Sequence, residues 1–113
     1  AWKGLRRPAD KDFIAPYNTG TPMATLKKVG AQLTTMPTGF KIHPKLQKLI
    51  DMRKEMAEGK IPVDWGMAEL LSYGSTILEG NSVRLSGQDC VRGTFTHRHS
   101  CFYDFNTGEE YNP

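Results

Sequence analysis

Long apolar runs are missing from this chain: none of its 113 residues sits in a stretch approaching the ~20 that a membrane-spanning helix requires. No charged segment leads into a short apolar core, so no secretory signal is visible within it. Cysteine is scarce, with only Cys90 and Cys101, which is too few for a disulfide framework. Internal repeats and low-complexity tracts are also lacking. Acid and base nearly balance, leaving a net charge of +3. The bases Lys3, Arg6, Arg7, Lys27, Lys28, Lys45, Lys48, Arg53 and Lys54 are scattered, most beside acids or on the outer faces of predicted helices. That distribution describes a solvated surface rather than a stripe that tracks nucleic-acid phosphates.

Apolar content is modest as well. Hydrophobic residues make up 38% of the chain and the mean hydropathy is -0.51, low for a self-contained core of this length. Charged residues at 24% are ordinary, so the deficit is not that of a highly charged disordered segment. It suits a piece whose core is completed by something else. The chain opens at Ala1-Trp2 without Met and stops at Pro113 soon after an apparent turn; it is expected to be part of a larger polypeptide.

What the sequence does contain is best followed from its N-terminus. Residues 1–20 hold Gly4, Pro8, Pro16 and Gly20 with no sustained period, an arm whose Trp2, Phe13 and Tyr17 are expected to press against another part of a parent protein. Thr21-Pro22 has the form of an N-cap followed by proline at the first helical position. Met23, Leu26 and Val29 give one short helical face, expected to end at Gly30, and Thr34 to Gly39 reads as a loop. His43-Pro44 opens a stronger helix with Leu46, Leu49, Ile50, Met56 and Ala57 as its apolar stripe. Lys45, Lys48, Asp51, Lys54 and Glu55 form its wet side, and Gly59 stops it.

Asp64 is a good N-cap for the next helix. From Trp65 to Leu78 Glu69, Ser72 and Thr76, continued by Glu79, form a narrow polar stripe and everything else is apolar, glycine or a small hydroxyl, which implies burial on most sides. Gly66 and Gly74 would admit the close approach of another backbone, at a cost of ~1 kcal/mol each in helix propensity relative to alanine. Gly80 ends this helix, and Ser82 to Ser86 is expected as a strand centred on Val83 and Leu85. Helix, short turn and strand form the αβ half of an α/β unit. Ligands in open α/β sheets gather beyond the carboxyl ends of strands, here at Gly87-Gln88-Asp89. Phe95 to Tyr103 can extend, turn at Asn106-Thr107-Gly108 and return through Glu109 to Tyr111.

The run Arg84 to His99, RLSGQDCVRGTFTHRH, concentrates polar chemistry. Ser86, Gln88, Asp89, Arg92, Thr94, His97 and His99 fall within fourteen residues around two glycines. Burying such a cluster demands a partner for every group, so a purely structural role is a poor account of it. If extended, residues 97–101 would project His97, His99 and Cys101 from one face and Arg98 from the other. Histidine can donate to an oxyanion, relay a proton or hold a carboxylate; the plain alternative is a surface hairpin with satisfied imidazoles. Gln88 and Asp89 suit cofactor or interface contacts, or a turn in which Asp89 caps backbone N–H groups. Arg92 could pair with Asp89 or hold an anion, and Gly93 permits a tight bend. Ser86 and Thr94 read as scaffold hydroxyls. Zinc ligands of the right types are present in Cys90, His97, His99 and Cys101, but paired-knuckle spacing is not.

RLSGQD followed by RGTF and HRH is similar to the thiamine-dependent component of 2-oxoglutarate dehydrogenase. The resemblance extends back through DWGMAELLSYGS at Asp64 to Ser75 and HPKLQKLIDMRKEM at His43 to Met56, covering roughly four fifths of the chain. It implies an α/β fragment with two to three helices, then a strand and a hairpin, and a core incomplete on its own. Residues 1–60 would be a connector arm with short helices. Residues 61–113 would start a transketolase-like, pyrimidine-binding domain. The implied reaction is oxidative decarboxylation of 2-oxoglutarate with succinyl transfer to a lipoyl group; a relative acting on 2-oxoadipate has nearly the same motif.

By the resemblance His99 and then His97 are the catalytic candidates; Gln88, Asp89 and Arg92, from their place past the strand end, are the candidates to contact the cofactor. The implied cofactors are thiamine diphosphate and magnesium, with no metal ligand in this chain. The diphosphate and magnesium motif of the family has no match here, and the glutamate that activates thiamine lies in the family beyond Pro113. The isolated piece should therefore be inert. Implied partners are a second copy in a homodimer, a dihydrolipoamide succinyltransferase with its lipoyl domain, and a 2-oxo acid, with neither nucleic acid nor membrane. The implied compartment is bacterial cytoplasm or mitochondrial matrix, where the two cysteines would be reduced thiols. Cys90-Val91 and Ser100-Cys101-Phe102 depart from the family pattern, between the proposed contacts. A small basic zinc- or nucleic-acid-binding module is the reading from a different class.

Overall fold

The computed structural model describes residues 3–93 and 97–113. Trp2, and Thr94 and Phe95 of the motif, lie outside the described residues. Among the described residues four helices are followed by a minimal hairpin: α1 (Asp10–Phe13), α2 (Met23–Leu33), α3 (Pro44–Glu58), α4 (Trp65–Leu78), β1 (Phe102–Tyr103) and β2 (Glu110–Tyr111). The two strands are antiparallel, with Phe102 opposite Tyr111 and Tyr103 opposite Glu110.

Caps account for the two long helices. The His43 side chain accepts a hydrogen bond from the Lys45 N–H ahead of Pro44, and Gly59 closes α3 in the left-handed conformation at φ 78°. Asp64 caps α4 by accepting from the Met67 N–H at 2.7 Å. Helix α2 departs from its expected form. Pro22 rather than Thr21 is its N-cap, and it runs through Gly30 to Leu33. Gly30 is buried inside it, where an added Cβ would stand 2.4 Å from the Ala57 Cβ of α3. Close helix packing, not termination, is the reason for that glycine.

Helix α2 lies against both α3 and α4. Val29, Met56, Met67 and Leu71 form the core, flanked by Leu26, Leu33, Ala57 and Ile61. Gly74 lets Val29 in, since a Cβ there would meet Val29 Cγ1 at 2.3 Å. The hairpin is sewn to the segment before α3. The Asp104 carboxylate accepts from the backbone N–H groups of Lys41, Asn106 and Thr107. These bonds hold its pKa down at about 2.

The expected strand Ser82–Ser86 does not form. The segment is mostly exposed and has no hydrogen-bonded neighbour among the described residues, and a strand exists only through the ladder a neighbour supplies. The hairpin return is present; among the described residues extended pairing is confined to Phe102–Tyr103, and the expected start at Phe95 lies outside them. The radius of gyration is 17.1 Å, against about 13 Å for a compact domain of this length. Much apolar surface stays uncovered: Phe13, Ile14 and Tyr17 in the arm are exposed, and Trp65 is 91% exposed at the start of α4. A core of this size is incomplete by itself.

Candidate functional site

The HRH segment is held from below by one buried side chain. Arg53 of α3 is only 2% exposed. It donates from Nη2 to the carbonyl of His97 at 3.0 Å, from Nη1 to that of His99 at 3.1 Å, and to that of Arg98 between them. Burial lowers its pKa and the charge of Asp64 counters this. The guanidinium remains cationic at neutral pH. The α4 backbone lies against the same place, for a Cβ on Gly66 would fall 2.4 Å from the His97 carbonyl oxygen.

Residues 97–101 are therefore not the extended row with His97, His99 and Cys101 on one face. His99 adopts φ 38°, a left-handed conformation uncommon for a residue with a side chain, and among the described residues no strand is formed before Phe102. The turn separates the imidazoles. His97 is exposed, with its Cε1 4.0 Å from where a Cβ on Gly93 would lie. His99 is 7% exposed. Its ring stacks on Phe102 at 6.5 Å between centroids and 8° between planes. Its Nε2 is buried with no hydrogen-bond partner among the described residues. Burial first, and then the charges of Arg53 and Arg92, push its pKa below the ordinary histidine value, so the imidazole is neutral at pH 7.

The loop 88–93 folds back onto this segment. Arg98 donates to the Asp89 carbonyl at 2.8 Å and forms a two-point ion pair with Glu69 of α4 at 2.5 and 3.2 Å. Glu69 is held below the usual carboxylate range by that pair. Ser100 donates from its N–H to the Val91 carbonyl at 2.9 Å. The result is a cleft of about 350 Å³ lined by His43, Arg92, His99, Phe102 and Tyr103 among others. Arg92 is exposed and makes no ion pair with Asp89. The Asp89 side chain caps no backbone group among the described residues, so of its two readings the turn cap is not realised. Gln88 is exposed beside it. Cys101 donates to a Glu110 carboxylate oxygen at 3.0 Å, and burial raises its pKa to about 11, so it is a neutral thiol. No three His, Cys, Asp or Glu residues are grouped to hold a metal ion among the described residues.

Two residues central to this geometry escape the sequence pattern. Arg53 was grouped with the scattered surface bases, yet it stands three residues after Ile50 and three before Met56, on the apolar stripe itself. An arginine at such a position is the available signal. Glu69 lay in the polar stripe of α4, but nothing nearby in sequence names Arg98 as its partner.

No family model matches the chain. Individual proteins do. It is 47% identical over 103 residues (91% of the chain) to the 2-oxoglutarate dehydrogenase E1 component of Coxiella burnetii. It is 42% identical over all 113 residues to the protein of the same description from Brucella anthropi. It is 41% identical over 112 residues to the mitochondrial 2-oxoglutarate dehydrogenase of Dictyostelium discoideum. The chain spans 11% of the length of each of these relatives. By sequence it belongs with the 2-oxoglutarate dehydrogenase E1 components, as a short piece of one.

Proposed function

We propose that this chain forms one wall of the active site of a thiamine diphosphate-dependent dehydrogenase that oxidatively decarboxylates 2-oxoglutarate and passes the succinyl group to a lipoyl arm. Residues 1–60 would serve as a connector and residues 61–113 as the start of the transketolase-like, pyrimidine-binding domain. The observation that carries the reading is the buried, neutral and unpartnered Nε2 of His99 beside a cleft, inside the HRH motif. An orphaned polar atom of this kind costs about 1–3 kcal/mol unless something satisfies it, and a substrate oxygen would do so. Arg92 places a cation on the same cleft, which suits an anionic substrate.

In this proposal magnesium and the diphosphate are held by other parts of the polypeptide. Gln88, Asp89 and Arg92, on the loop bound to the HRH segment, are the residues of this chain assigned to contact the cofactor. Thiamine, when bound, supplies the electron sink for the pair left as carbon dioxide departs. The chain's own part is to present His99, and secondarily His97, to a carboxylate or a developing oxyanion, and to shield His99 from water by burial. A homodimer and a succinyltransferase with its lipoyl domain complete the proposal.

The longer polypeptide that carries this segment is expected to release carbon dioxide from 2-oxoglutarate only when thiamine diphosphate and magnesium are both supplied. Its kcat/KM for 2-oxoglutarate should exceed that for 2-oxoadipate, measured in parallel by steady-state decarboxylation. The reverse order would assign it to the 2-oxoadipate-acting relative, and no turnover of either acid would reject the reading.

A further inference from the structure

We infer that Arg53 is a positioning residue for the proposed reaction, fixing the His99 imidazole by holding the three successive carbonyls of His97, Arg98 and His99. The inference rests on the role just proposed for His99. Two observations and the shape of the guanidinium carry it. The guanidinium is buried and forms no ion pair with a carboxylate among the described residues; its hydrogen bonds go to the backbone carbonyls of the HRH segment. A planar fork of donors can serve acceptors spread over several positions, which the single nitrogen of lysine cannot match. The segment it grips also contains the positive φ of His99, a conformation that persists only when its surroundings over-determine it.

The grip is reinforced on the other side. Arg98 is tied to Glu69 and to the Asp89 carbonyl, so the backbone of the segment is held from α3 and one of its side chains from α4. The imidazole is then aimed by backbone fixation and by its stack on Phe102, not by a hydrogen bond to its Nε2. That leaves the Nε2 free for a ligand, which a hydrogen-bonded orienting partner there would not.

The test is a double-mutant cycle in the longer polypeptide, with Arg53→Lys, His99→Ala and the pair, read by steady-state kcat and KM and by thermal melting. Arg53→Lys should fold and lower kcat about 10- to 100-fold, the scale of a misplacement of roughly an ångström, with KM changed less than about threefold. In the His99→Ala background the same change should cost less than about threefold, because its target is gone. Arg53→Lys with kcat within twofold of the parent overturns the inference, as does an undiminished loss in the His99→Ala background. If His99→Ala alone has parental kinetics, it is the role of His99 that fails and the inference falls with it. If His99→Ala is impaired while Arg53→Lys is not, only the positioning role fails. Should lysine at 53 prevent folding, Arg53→Gln, which keeps a planar donor group, takes its place in the cycle with the same expected losses.

Discussion

Alanine at position 66 is expected to disturb the HRH segment more than any other single added methyl group in this chain. The new Cβ would stand 2.4 Å from the His97 carbonyl oxygen and 3.2 Å from its carbon. Both atoms are backbone, and that carbonyl is already bonded to Arg53, so neither side can yield by rotating a side chain. Overpacking of this kind costs about 1–3 kcal/mol, offset in part by the ~1 kcal/mol that alanine gains over glycine within a helix. Residues 97–99 must shift, and kcat of the longer polypeptide should fall about 10- to 100-fold. Gly74→Ala is the control. Its Cβ would press on Val29 Cγ1 at 2.3 Å, a side chain in the helical core and not part of the cleft, so the melting temperature should drop while kcat holds. Equal kcat losses in the two variants would contradict this assignment of the two glycines.

Phe102→Ala carries the largest expected loss of stability. Phe102 is 1% exposed, and truncating a buried phenylalanine costs about 3–5 kcal/mol through lost transfer energy and the cavity left behind. It is also the ring on which His99 stacks, so the imidazole would lose its floor together with its packing. Denaturant unfolding of the longer polypeptide should show a destabilisation of that size in the transition that includes this segment. A change below about 1 kcal/mol would mean that Phe102 is not a core residue.

The parts of this fold that could be read from sequence are those fixed by local chemistry. Helix α3 follows from Pro44 and Gly59, and α4 from Asp64, because proline, a left-handed glycine and a capping carboxylate each act within a few residues. The close approach at Gly66 and Gly74 was legible too, since glycine inside an otherwise buried helix has few other uses. Gly30 misleads by the same logic: it carries the stop signal but sits where α2 crosses Ala57, and tertiary packing outweighs propensity. Val83 and Leu85 have strand chemistry without a partner to pair with.

For the proposed site, the motif singles out the HRH stretch and His99 within it, but not its geometry. A period-2 projection cannot foresee the positive φ at His99, in a segment whose carbonyls are bonded by Arg53 more than forty residues earlier. Loop 88–93 was recognised as polar; that it is bound to residues 98–100 through Arg98 and Ser100 is long-range information that no local pattern holds. Arg53 itself was hidden because a buried cation looks, in sequence, like any other base on a helix.

The most direct test of the account is the turnover of the longer polypeptide with His99→Ala, measured as thiamine-dependent decarboxylation of 2-oxoglutarate at neutral pH. The side chain removed holds a buried, neutral Nε2 with no partner among the described residues, so little native hydrogen bonding is lost and the larger effect should fall on catalysis. The account predicts a kcat lowered by about 100-fold or more, the scale of a positioned acid–base or oxyanion-stabilising group, beside a loss of melting temperature from the truncated buried ring that leaves the protein folded. Parental kcat and KM in that variant would contradict it.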